Sequence, residues 1–338
     1  MALGLKSWGK AGSACFAFAC TVLIAAYGLI FIGSVSIYPA QLGNSELCRH
    51  YSGLPGNWRI KPLAGMVYIH NGEFKLGTTL GYEEERDEIV TQVKGFWIDQ
   101  TEVTVAQFSD FVSATGYITE AEREGGGVVF RTPDETVPNQ QPYAWWTYDK
   151  SANWRHPNGL ESSAAANQPV TLVTFNDALA YAKWLGRDLP TEAEWEYAAK
   201  AHRQGAELEK EPRDAQGKPR ANFWQGNFPN LNTQEDGYAG LAPVGCYPGN
   251  DFQLYDMIGN AWEQTKDIYT ESHQAYAQRL SAVDSQKADR PMVVKGGSHL
   301  CGRNFCVRYR PSAREAHEAN LAISHIGFRT VQRNFGLF

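Results

Sequence analysis

From Met66 onward, short apolar stretches alternate with turn residues, so the chain has few places to build a long helix and many at which it must reverse direction. The runs MVYIH at Met66–His70 and FWID at Phe96–Asp99 read as strands. Thr104-Val-Ala-Gln107 has the form of a capping box, and Val105, Phe108, Phe111 and Val112 behind it give one apolar helical face that ends near Gly116. A second helix is expected from about Asn176 to just before Gly186, burying Ala178, Tyr181, Ala182 and Leu185, and a third opens after Pro190 with the box Thr191-Glu-Ala-Glu194. The segments Glu124–Tyr143 and Gln204–Arg220 read as solvated surface insertions. With 32 Gly, 16 Pro and 10 Trp, this punctuation predicts an α+β domain of short strands, few helices and much irregular chain, without internal repeats, over 64–338.

The N-terminus follows a different rule. After Lys6 and Lys10 the chain is uncharged from Ala11 to Tyr38, a run that as a helix reaches roughly 40 Å and exceeds the apolar region of a cleaved leader. It is expected to be a single-pass signal anchor over 1–38, spanning the bilayer at about 11–37, with Cys15 and Cys20 inside the span. The leading lysines predict a cytoplasmic N-terminus and an extracytoplasmic domain, joined by a Pro/Gly-punctuated connection over 39–63. A net charge of -6 gives no support for a nucleic-acid partner.

Outside the anchor there are four cysteines, Cys48, Cys246, Cys301 and Cys306, in a compartment that permits disulfides. Two structural bridges are the simplest account. The segment Gly296–Arg310, GGSHLCGRNFCVRYR, keeps another open, because two thiolates suit the soft ion Cu(I). Zinc would want four ligands, and His299 stands alone beside the pair. No nucleophile elbow, phosphate-cradling loop, zinc-binding helix or dinucleotide fingerprint is present.

The residues around the pair carry a resemblance. Lys295-Gly-Gly-Ser-x-x-Cys301, Cys306-x-Arg-Tyr-Arg-x-x-Ala-Arg314 and Ile326-Gly-Phe-Arg329 resemble the C-terminal signature of the formylglycine-generating enzymes, the sulfatase-modifying factor family. Gly65-Met66-Val67, Ile98-Asp-Gln-Thr-Glu-Val103, Thr115-Gly-Tyr-Ile-Thr-Glu-Ala121, Ala152-Asn-Trp-Arg-His-Pro157, Leu189-Pro-Thr-Glu-Ala-Glu-Trp-Glu-Tyr197, Asn222-Phe-Trp-Gln-Gly226 and Ile258-Gly-Asn-Ala-Trp-Glu263 follow the family's order, over about residues 64–332.

The resemblance implies a C-type-lectin-like fold and an oxidase that uses O2 and Cu(I) to convert the cysteine of a Cys-x-Pro-x-Arg segment in an unfolded sulfatase into Cα-formylglycine. By position, Cys301 and Cys306 would hold copper, with Cys306 also open to thiol–disulfide exchange, and Ser298 and Trp262 would line the pocket for oxygen and substrate. It further implies two structural Ca2+ sites, one at Asn222, Phe223, Asp236 and Tyr238, the other at Asp256, Gly259, Ala261 and Glu263. The chain departs from the family pattern at four positions. Gly302 stands for a common His, Phe305 for a Tyr, Gln264 for a Trp, and Pro311 for a Cys of some animal relatives. Gly302 and Phe305 support an alternative, a peptide-binding or regulatory protein on the same fold with Cys301 and Cys306 bridged.

Overall fold

The computed structural model describes residue 1 and residues 42–133, 141–273 and 290–333. The expected anchor, with Cys15 and Cys20, falls outside these residues; among them, no helix is long and apolar enough to cross a membrane.

The strands are short, as the punctuation demands. They are β1 (Met66–Ile69), β2 (Gly72–Leu76), β3 (Ile89–Val93), β4 (Phe96–Asp99), β5 (Gly127–Phe130), β6 (Trp146–Asp149), β7 (Gly226–Asn227), β8 (Leu231–Asn232), β9 (Trp262–Ile268), β10 (Pro291–Lys295), β11 (Arg314–Glu318), β12 (Ile326–Gly327) and β13 (Val331–Gln332). One sheet has the order β1-β4-β13 and another β11-β10-β9-β12, in which β12 runs parallel to β9; β2-β3, β5-β6 and β7-β8 pair as separate ribbons.

The α-helices among the described residues are α1 (Val105–Thr115), α2 (Glu120–Glu124), α3 (Phe175–Trp184) and α4 (Glu192–Lys200). All four open the same way. Thr104, Thr119, Thr174 and Thr191 accept a bond from the backbone N–H three residues on, and Gln107, Glu122, Asp177 and Glu194 reach back to the cap. Each such cap stabilises its helix by about 1 kcal/mol. The apolar faces of α1 and α3 meet in a cluster holding Phe108, Phe111, Trp154, Tyr181 and Phe328, while α4 packs with Ile69, Phe96, Ile98 and Val331 of the first sheet. Leu185, expected to be buried, is the half-exposed C-cap of α3.

Three segments differ from their sequence reading. The connection expected over 39–63 is docked from residue 42 onward: Thr104 donates to Gly53 O at 2.5 Å, Trp58 to Asp110 at 2.8 Å, and Arg187 to Pro62 O at 2.7 Å. Cys48 in this segment forms a disulfide with Cys246, 198 residues away. The insertion expected to be solvated over 204–220 is latched instead. Glu209 accepts from Arg310 and Ser312 at 2.6 Å each, and Glu211 accepts from Arg303 at 2.9 Å. In the 124–143 segment, Gly127–Phe130 pairs with Trp146–Asp149 and bridges Ile323.

A buried ionic network joins α4 to the second sheet. Glu192 and Glu196, one turn apart on α4, are both fully buried. Arg314 of β11 grips Glu192 with two bonds of 2.8 and 3.1 Å, and Lys295 of β10 donates to Glu196 at 2.7 Å and to Glu192 at 3.4 Å. Lys200 pairs with Glu196 at 2.7 Å. Burial alone would raise both carboxyls, but the Arg314 and Lys295 charges outweigh it, holding Glu192 well below its ordinary range, and Lys295 with Lys200 holds Glu196 at about 2. Because these values are depressed, their stabilisation is present above the unfolded carboxyl value of about 4.3 and disappears as pH falls through the folded ones.

Two outcomes are expected. Lys295→Met removes the cation that two buried carboxylates share and should cost about 3–5 kcal/mol in urea unfolding, with acid unfolding moved to higher pH than in the parent. Replacing Cys48 and Cys246 together by Ser should cost about 2–5 kcal/mol, read as a lower urea midpoint, by freeing the docked N-terminal segment.

Candidate active site

The cysteine turn begins where β10 ends. Lys295 is followed by Gly296 and Gly297, both with left-handed backbones at φ 92° and 77°. A Cβ at Gly296 would stand 2.9 Å from Met257 O and from the Trp195 ring, and one at Gly297 2.4 Å from Arg308 O, so only glycine lets the chain pass. Ser298 comes next, wholly buried, its Oγ accepting from Leu300 N at 3.2 Å. Cys301 N donates to Ser298 O at 3.0 Å and Trp224 N to Cys301 O at 2.9 Å, which fixes the backbone on both sides of the first sulfur. Gly302 and Phe305 then exchange two backbone bonds of 2.8 and 3.1 Å, and this tight reversal returns the chain to Cys306 beside Cys301.

Cys306 is itself left-handed at φ 54°, a conformation uncommon for a residue with a side chain, and its carbonyl accepts from Arg308 N at 2.7 Å. Both cysteines are free thiols, Cys301 buried and Cys306 half-buried, so the pair is not the bridge that spacing alone favours. The hydrogen bond to Cys301 comes first among the causes that push the Cys306 thiol well up, followed by burial and the Cys301 charge.

Trp262, at the start of β9, is 1% exposed and packs in one cluster with Cys301, Cys306, Phe223, Val294 and Tyr309. The structure therefore brings together all four expected catalytic positions, Ser298, Cys301 and Cys306 on the turn and Trp262 across it. A recess lined by Leu80, Tyr82, Glu209, Val307 and Arg310 opens beside the residue after Cys306.

Two of the family departures, Gly302 and Phe305, fit the packing around the turn. A Cβ at Gly302 would lie 3.2 Å from both Cβ and O of Trp224, so the glycine lets the two chains approach closely. Phe305 stacks on Phe228 at 4.4 Å and 6° and meets Trp145 edge-on at 5.5 Å, in an aromatic shell where a phenol is not required for packing. Two buried imidazoles stand near the sulfurs, His299 on the turn itself and His325, which the sequence does not single out. His299 is lowered to about 4 by burial, against its bond with Asn260 O, while His325, stacked on Trp146 at 4.8 Å, is lowered well below its ordinary value by burial and by its histidine neighbours. Both are neutral at pH 7.

The first expected calcium set also converges. Asp236 Oδ2 accepts from Phe223 N at 3.1 Å, and Asp236 Oδ1 from Tyr238 N at 3.0 Å; Asn222 lies beside them, donating to Asn260 and to Gly240 O. Gln225 Nε2, absent from the expected set, donates to both Asp236 Oδ2 and the Phe223 carbonyl, so the positive end of an amide stands where two oxygens aim. In the second set, Asp256 is left-handed at φ 54° and 7% exposed. Its Oδ2 accepts from Gly245 N at 2.6 Å, whereas its Oδ1 is buried without a partner. Glu263 is held by Arg329 through two 2.6 Å bonds and by Trp195 at 2.7 Å. Oxygen-only donors, with a buried orphan among them, fit a hard divalent cation.

Comparison with known proteins agrees with this geometry. The family model described as "Sulfatase-modifying factor enzyme 1-like domain" matches residues 52–334. A formylglycine-generating enzyme of Bos taurus is 38% identical over 315 residues, covering 86% of this chain and 82% of the relative. One of Mycobacterium tuberculosis is 38% identical over 292 residues, covering 80% and 98%. The inactive C-alpha-formylglycine-generating enzyme 2 of Mus musculus is 39% identical over 278 residues, covering 78% and 84%, so identity alone does not separate active from inactive relatives. The solved structure of PvdO from Pseudomonas aeruginosa shares the fold, with a TM-score of 0.56 at 20% identity, covering 88% of this chain and 100% of that one. The chain belongs to the sulfatase-modifying factor family.

Proposed function

We propose that this chain is a formylglycine-generating oxidase, which converts the cysteine of a Cys-x-Pro-x-Arg segment in sulfatases to Cα-formylglycine with O2, holding Cu(I) between Cys301 and Cys306. The observation that carries this reading is the pair of unbridged cysteines, one buried and one half-buried, which the Gly302–Phe305 reversal brings into one apolar, aromatic cluster with Trp262 and Tyr309. Two converging thiols with no hydrogen bond to an imidazole or carboxylate among the described residues suit a soft monovalent ion.

Copper, when bound, supplies the O2-activating chemistry. The protein's part is to bind, orient and exclude. Cys301 is clamped by Trp224 N–H and Ser298 O, so the first sulfur is a fixed point. Cys306 is the more accessible sulfur and the one an incoming thiol meets. The Ser298 hydroxyl sits at the head of the turn as a hydrogen-bond donor for a reduced oxygen species, and Trp262 walls water from the sulfurs. Neutral His299 and His325 bring no charge to compete with the thiolates. Ca2+ in the two oxygen sets would be structural, fixing the 222–238 and 256–263 segments that flank the cysteine turn.

We place the enzyme on the extracytoplasmic side of a membrane, held by the uncharged run Ala11–Tyr38, where an exported sulfatase still presents its motif as extended chain. A non-catalytic, peptide-binding protein is the second reading. It draws on Gly302 and Phe305, which leave the turn without a polar side chain at either position, and on the inactive relatives of equal identity.

The reduced protein loaded with Cu(I) should oxidise a Cys-x-Pro-x-Arg peptide, with a mass loss and a new hydrazine-reactive aldehyde; an unchanged peptide under O2 decides for the second reading. Cys301→Ser and Cys306→Ser should each weaken Cu(I) binding by more than about 100-fold in competitive titration, and unchanged titrations in both variants would remove the ligand assignment. Ser298→Ala should lower kcat by about 100-fold while Cu(I) affinity stays at the parent value.

A further inference from the structure

Glu102 lies between β4 and α1, in the Ile98–Val103 stretch that the sequence marks only as part of a family pattern. It is 0% exposed. Its Oε1 accepts from Asn260 Nδ2 at 2.9 Å, and its Oε2 is buried with no partner among the described residues. Asp256 presents the same picture, one oxygen on Gly245 N and the other orphaned. The two carboxylates face each other electrostatically: after burial, the Asp256 charge is the largest influence on Glu102, followed by that of Glu263.

The nearby cation cannot serve them. Arg329 spends Nε and one Nη2 bond on Glu263, at 2.6 Å each, and places its other N–H groups on the carbonyls of Asp99, Gln100 and Tyr255 at 3.1, 3.3 and 2.9 Å. A guanidinium has five N–H donors, and all five are committed. Three buried carboxyl groups, Glu102, Asp256 and Glu263, therefore stand against one positive charge, so that in their ionised forms two of them would lack a counter-charge.

We propose that Glu102 is a direct ligand of the second cation set, so that one Ca2+-class ion is held between Glu102 Oε2 and Asp256 Oδ1 and closes this charge balance. The assignment rests on reading that set as a cation site. It adds a third anionic ligand to a set that by resemblance has Asp256, Glu263 and two carbonyls, and it gives Asn260 the task of aiming Glu102 at the ion.

The test uses the full-length chain stripped with EDTA, titrated with Ca2+ by calorimetry and with Tb3+ by luminescence, and melted with and without Ca2+. The parent should bind two equivalents. Glu102→Gln should weaken one of them by about tenfold or more and leave the other unchanged. The same variant should melt higher than the parent in EDTA, because a buried uncompensated charge is gone, and gain less from Ca2+; a merely structural role would lower the melt in both conditions. Asp256→Asn should act on the same equivalent. A parent that binds two equivalents, with Glu102→Gln matching it in both affinity and Ca2+-dependent melting, overturns the role of Glu102 alone. A parent with no second equivalent overturns the cation reading of the set and the assignment with it.

Discussion

The Lys295 ammonium, buried between Glu192 and Glu196, is the contact on which the site's position depends. It is the last residue of β10, so anchoring it to α4 fixes the point from which the Gly296–Gly297 turn departs. The same helix face then shapes the turn, since Trp195, lying between the two glutamates, packs so near Gly296 that no side chain fits there. A network of this kind has a high desolvation cost, and apolar packing of equal volume would often stabilise as well. What charge adds is direction: two carboxylates one helical turn apart take Arg314 from β11 and Lys295 from β10, which ties the helix to the sheet at two points. The depressed carboxyl values of Glu192 and Glu196 are the energetic record of that match.

How much of this is legible in the sequence depends on range. The helix starts are local, written as Thr and an acid or amide three residues apart, and α1 and α4 begin where those boxes place them. Strands β1 and β4 follow from apolar runs bounded by turn residues. The Cys48–Cys246 bridge is different, because closure over 198 residues leaves no mark on either cysteine's neighbours. The 204–220 segment misleads for a related reason. Its charges look solvated in sequence, yet Glu211 and Glu209 answer arginines that lie about a hundred residues later, Arg303 between the two cysteines and Arg310 just beyond them.

The site shows the same division. Ser298, Cys301 and Cys306 are close in sequence, and their joint placement requires only the two glycines and the Gly302–Phe305 reversal. Trp262 and the oxygen sets were placed by resemblance to a known family, not by periodicity or spacing. Gln225 and Glu102 escaped that resemblance as well, although both stand inside stretches that carry it. Each contributes through a single side-chain atom whose meaning appears only when its partners, or the lack of one, are located in space.

Asn260 ties these parts into one unit. It is left-handed at φ 53°, and its side chain works on both oxygen sets at once, Oδ1 accepting from Asn222 Nδ2 at 3.0 Å and Nδ2 donating to Glu102 at 2.9 Å. Its carbonyl accepts from both the backbone N–H and the ring Nδ1 of His299, at 2.9 and 3.0 Å, one residue beyond Ser298. Two residues on, Trp262 closes over the sulfurs. Asparagine adopts this left-handed backbone more readily than most residues, and here its polar groups bond to different parts of the fold, which makes it a shared node between them. The spacing between the cysteine turn, its tryptophan wall and the buried carboxylates is therefore a property of this one asparagine as much as of the residues that carry the chemistry.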